Sequence, residues 1–111
     1  MKQALLILIA SAAISLAICA PASADSDTEF ADVLHTYGIY GPKDYNAWIG
    51  KLACKRLSHG IDTTAQESVT FVSDQLAKNT TTEHGWEFLG TAIDYYCPQQ
   101  RGVLNQEASH A

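Results

Sequence analysis

From residue 25 onward the apolar positions recur at helical spacing. Phe30, Val33, Leu34 and Tyr37 fall at i, i+3, i+4 and i+7, which makes one stripe of a helix. Ser26-Asp27-Thr28-Glu29 in front of them has the pattern of a capping box, and Gly38 behind them suits a left-handed helix end. The turn Ile39-Tyr40-Gly41-Pro42 carries two apolar side chains and is expected to fold onto the core. Asp44 can then cap a second helix that runs to about residue 58 and stops at Gly60.

The second helix is apolar over most of its circumference. Tyr45, Trp48, Ile49 and Leu52 make one face, while Ala47, Cys54 and Leu57 carry apolar character round the other side. Arg56 interrupts that arc. Such a helix is usually central in its domain. The Trp48 side is therefore expected to pack on the first helix or on the Ile39-Tyr40 turn, with Cys54 facing a second layer.

Two more helices follow. Thr63-Thr64-Ala65-Gln66-Glu67 offers a cap, and Ala65, Val69, Val72 and Leu76 form a narrow stripe to about residue 78. Phe71 falls off that stripe as flank cover or a partly exposed ring. Thr80-Thr81-Thr82-Glu83 opens the fourth helix. Its apolar half holds Gly85, Trp86, Phe88, Leu89, Ala92, Ile93 and Tyr96, its polar half Glu83, His84, Glu87, Thr91 and Asp94. Pro98 stops it, directly after Cys97. No strand pattern of comparable length occurs. Residues 99–111 have no period and only Val103 and Leu104 as large apolar content, and are expected to form a disordered tail. The pattern predicts an all-α domain over residues 25–98, four helices in a small bundle.

The first 24 residues are of another kind. Lys2 is their one charge, residues 4–20 are an uncharged, mostly apolar run, Pro21 ends it, and Ala22-Ser23-Ala24 supplies the small residues a signal peptidase reads. Residues 1–24 are read as an export signal cleaved before Asp25, so the protein is expected to be secreted or held in the cell envelope, without stable membrane insertion after cleavage. The apolar run lies at the short edge of the roughly 20 residues a membrane span needs. Leu16-Ala17-Ile18-Cys19 resembles a lipoprotein cleavage box, but Ile18 stands where a small residue is required. Cys19 then leaves with the signal.

Export changes the reading of the two remaining cysteines. In an oxidising compartment a pair of thiols defaults to a disulfide, and Cys54 and Cys97 can only pair with each other. Closing that long loop is worth about 4 kcal/mol in the chain-entropy model. Neither residue lies in a Cys-x-x-Cys motif, which argues against redox chemistry.

The ordered set now resembles a known family. Phe30 and Leu34 lead into Gly38-Ile39, a second helix carries Trp48 and Cys54, and the last helix ends in Tyr96-Cys97-Pro98. Together they are similar to the small secreted mycobacterial proteins grouped as domain of unknown function 732, over about residues 29–99. The resemblance implies export, an all-helical fold and a Cys54–Cys97 disulfide. It brings no catalytic residues with it.

Composition narrows the function classes. The net charge is −5, which disfavours nucleic acid or anionic lipid as the main partner, since both need a basic footprint. No two of His35, His59, His84 and His110 stand at the spacing of a metal-binding helix. Ser58-His59 with Asp62 has the letters of a hydrolase triad, but adjacent helical side chains diverge and no oxyanion-hole motif accompanies them. No enzyme activity, cofactor or metal is expected. All ten aromatic residues (two Trp, five Tyr and three Phe) lie between Phe30 and Tyr96. They either fill the core or line a cleft for an apolar molecule such as a lipid or haem, with Tyr37, Tyr40 or Tyr45 as polar contacts. The expected role is a non-enzymatic interaction module with a protein partner, and the alternative is a carrier of an apolar small molecule. Either would use the surface of Tyr40, Tyr45 and Trp48.

Overall fold

In a computed structural model, which describes residues 25–110, Asp25 caps the first helix. Its Oδ1 accepts the Thr28 backbone N–H at 2.8 Å, and α1 runs over Ser26–Thr36. The cap lies one residue before the expected Ser26, because Asp and Ser satisfy the same orphan donors and Asp25 has the extended backbone a cap needs. The expected export signal, residues 1–24 with Cys19, lies outside the described residues. Four more α-helices follow: α2 Lys43–Ser58, α3 Ala65–Gln75, α4 Thr82–Tyr96 and α5 Arg101–His110, the last entered through a 3-10 turn at Pro98–Gln100. The described residues contain no strand, and no helix among them is long and apolar enough to cross a membrane.

The helix ends follow local chemistry. Thr64 Oγ1 accepts the Glu67 N–H at 3.2 Å, and Glu67 reaches back to the Thr63 N–H at 2.7 Å. Thr81 does the same for the His84 N–H at 3.0 Å. Glu67 is held below the usual carboxylate range chiefly by that Thr63 N–H, and Asp25 by the Thr28 N–H. The expected Asp44 cap is a correction. α2 begins two residues earlier than that cap would set, after the extended Pro42, and no side chain caps it. α1 and α2 close alike, with Gly38 and Gly60 at positive φ and the next residue, Ile39 or Ile61, bonded back to the helix. Ile39 is buried, whereas Ile61 is 60% exposed.

The core forms where α4 packs on α2 and α3, which also meet each other, and α1 packs on α2 and α4. Phe30, Leu34, Ile49, Val69, Val72, Phe88, Leu89 and Ile93 are its large, fully enclosed side chains. α2 approaches through small residues. A Cβ built on Gly50 would stand 3.1 Å from both the Phe30 and Tyr96 rings and 3.3 Å from the Ala92 Cβ. Ala47, Ala53 and Cys54 continue that buried side, and Cys54 is joined to Cys97 with their Cα atoms 5.8 Å apart.

The stretch 99–111, expected as a disordered tail, is helical through residue 110. Val103 is buried, Leu104 packs on the core, and Arg101 pairs with Asp94 at 2.8 Å. α5 thus covers α3 and α4. Its helix comes from tertiary burial, which a weak local pattern does not announce.

A polar clasp ties three helices. Asp27 of α1 accepts the Tyr96 O–H of α4 at 2.7 Å and pairs with Lys51 of α2 at 3.2 Å. Burial, and then the Asp27 carboxylate, push the Tyr96 phenol well above its ordinary value. A raised folded-state pKa means that stability is complete below the unfolded value near 10 and declines as pH rises beyond it. Wild-type protein should therefore lose stability in alkaline denaturation above about pH 10. Tyr96→Phe should flatten that decline, and an unchanged slope would contradict the clasp.

Candidate functional site

α2 determines which side chains are left to act. Its buried arc is Asn46, Ala47, Ile49, Gly50, Ala53, Cys54 and Leu57. At about 100° per residue, Trp48 lies opposite the centre of that arc. Trp48 is 55% exposed, and Tyr45, on its flank, is 41% exposed. The expectation that this side would pack on α1 or the Ile39-Tyr40 turn is corrected here. The close approach at Gly50 seats α2 by its small residues, so only Ile49 of the expected face is fully buried.

The exposed rings are not loose. The Tyr45 O–H donates to the Gln75 carbonyl at the end of α3, 2.8 Å away. The indole of Trp48 lies 6.0 Å from that ring, centroid to centroid. Tyr40 is 69% exposed and tilts against His35, with centroids 5.1 Å apart. It belongs to a separate surface dip with Ile39, Leu76 and His84. The structure thus brings Tyr45 and Trp48 together and leaves Tyr40 apart.

Three of the other aromatic rings cluster about Phe30. Phe30 meets Phe88, Tyr95 and Tyr96 edge-on at 5.3, 6.2 and 5.1 Å. Apart from the more enclosed dip beside Tyr40, the concavities described are open surface grooves. The largest, about 480 Å³, runs past Arg56, Ile61, Glu67, Phe71 and Asp74.

Arg56, the interruption on the apolar arc, has a purpose that pattern alone did not expose. Its guanidinium donates to both carboxylate oxygens of the buried Asp62, at 2.9 and 3.0 Å, and covers the Phe71 ring at 4.4 Å. Asp62 also accepts the Ser68 O–H at 3.0 Å, and its hydrogen bond keeps Arg56 protonated beyond its ordinary range. Asp62 is fully engaged there, so the letters Ser58-His59-Asp62 form no triad. The Ser58 O–H instead donates to the Cys54 carbonyl at 2.7 Å. Glu87, expected on a solvated face, is half-buried, and its Oε1 has no hydrogen-bond partner among the described residues. Among the described residues, no three His, Cys, Asp or Glu side chains gather as a metal-holding group.

Comparison with known proteins places the chain in a family. The family model described as "Protein of unknown function (DUF732)" matches residues 24–99. The chain belongs to that family. Two relatives described as uncharacterised proteins, from Mycobacterium tuberculosis strains CDC 1551 / Oshkosh and ATCC 25618 / H37Rv, are each 48% identical over 106 residues, spanning 95% of this chain and 93% of theirs. No solved structure matches. The matched span takes in α1 to α4, the bonded Cys54 and Cys97 and the Tyr45–Trp48 face, and it ends just before α5. The expected Tyr96-Cys97-Pro98 ending therefore lies inside the domain 732 model, and α5 lies beyond it.

Proposed function

We propose that the protein is an exported, non-catalytic binding module that docks a partner protein through the outer face of α2. One observation carries this reading: a tryptophan more than half exposed at the centre of a helix face, beside a tyrosine anchored by its hydroxyl. Trp and Tyr are the side chains most enriched at the energetic centres of protein interfaces. A fixed ring also loses little freedom on binding. Export is supported by the apolar run and small-residue site of residues 1–24 and by the disulfide. The carrier alternative has less support, because the buried rings contact one another rather than surround a space.

The test replaces Trp48 with photoreactive benzoylphenylalanine in the protein made by its native host. Glu83, exposed on α4, serves as the control position. One discrete protein adduct at position 48 and none at 83 is the expected outcome. Identical adducts at both positions, or none at 48, would count against docking by this face.

A further inference from the structure

The outer surface of α2 carries charge as well as aromatic area. Of the seven Lys and Arg residues in this acidic chain, Lys43, Lys51, Lys55 and Arg56 lie on this one helix. Arg56 is neutralised by Asp62 within the fold, and Lys51 shares an exposed pair with Asp27. The Lys55 side chain is exposed and makes no ion pair or hydrogen bond among the described residues. Trp48, Lys51, Leu52 and Lys55 together line a shallow groove of about 220 Å³. That is below the roughly 300 Å³ at which small-molecule pockets begin. It suits a single large side chain better than a whole ligand.

We propose that this groove receives an acidic segment of a partner protein, with one large apolar side chain seated against Trp48 and Leu52 and flanking carboxylates paired with Lys51 and Lys55. The proposal rests on the docking reading above and adds the chemistry of the partner. An apolar centre with a charged rim is the usual anatomy of such contacts, and rim charges choose the partner and speed its approach. An extended polyanion is a poorer fit. The molecule carries −5 overall, and Asp27 stands beside Lys51, so nucleic acid or an anionic bilayer would meet repulsion around the patch. A peptide can place its few carboxylates only where the lysines are.

A phage-displayed library of random 16-residue peptides, panned on the disulfide-bonded mature protein, tests this directly. The enriched sequences should share a large apolar residue flanked by Asp or Glu. A synthetic peptide of that consensus can be titrated by Trp48 fluorescence in a Trp86→Phe background, which removes the second of the two tryptophans. Lys55→Glu breaks no contact in the fold and should weaken the peptide by about tenfold or more. Lysine in place of the peptide's acids should restore binding to that variant.

Neutral or basic consensus sequences, or indifference to Lys55→Glu, would overturn the acidic segment yet leave docking at Trp48 intact if Trp48→Ala still abolishes binding. Binding that survives Trp48→Ala as well would defeat both readings. Failure to enrich any sequence, preferential binding to phosphatidylglycerol vesicles, or Lys55-dependent self-association would each overturn the proposal.

Discussion

Replacing either cysteine, as Cys54→Ser or Cys97→Ser, is expected to lower the free energy of unfolding by about 2 to 5 kcal/mol. Against a total of roughly 5 to 15 kcal/mol for a domain this small, that is enough to leave part of the population unfolded at physiological temperature. The bridge joins the middle of the domain to the end of α4, where Pro98 turns the chain into α5. Losing it frees α4 from α2 and loosens the seat of α5 as well. Both sulfurs are buried, so the native protein should expose no titratable thiol until it is both unfolded and reduced. Denaturant unfolding of the wild type against Cys54→Ser/Cys97→Ser measures the effect. A double variant as stable as the wild type would contradict it.

The second large effect is expected at Phe30. Phe30→Ala should cost about 3 to 5 kcal/mol. This ring is fully buried where α1, α2 and α4 meet, edge-on to Phe88 and Tyr96 and close to Gly50. α2 and α4 already approach through Gly50 and Ala92, so they have little room to close over the space the ring leaves. Poor collapse puts the cost at the upper end of the range. Phe30→Leu keeps most of the volume and should cost much less. A midpoint shift in Phe30→Ala worth under about 1 kcal/mol would mean that the ring is not the centre of the core.

Much of this architecture was legible in the chain itself. Thr64 and Thr81 cap α3 and α4, Gly38 and Gly60 end α1 and α2, and Cys54 and Cys97 are bonded. These are local signals, each carried by a few adjacent residues or by a pair with no other choice. The misses share one cause. A helical wheel ranks faces by the size of their apolar residues, and on α2 the larger residues lie largely outside, because a close crossing selects glycine and alanine. Arg56 looked misplaced because its partners Asp62 and Phe71 come from beyond its own helix. α5 has two apolar side chains whose value depends on the surface they meet.

The same reversal of α2 that corrected the packing exposes the proposed binding face, and a single residue tests it. Trp48→Ala should unfold in denaturant within about 0.5 kcal/mol of the wild type, as a surface substitution does, while binding of the partner or of the selected acidic peptide is lost. A destabilisation of about 3 to 5 kcal/mol, the range for a large aromatic removed from a core, would place Trp48 inside the fold and contradict the account.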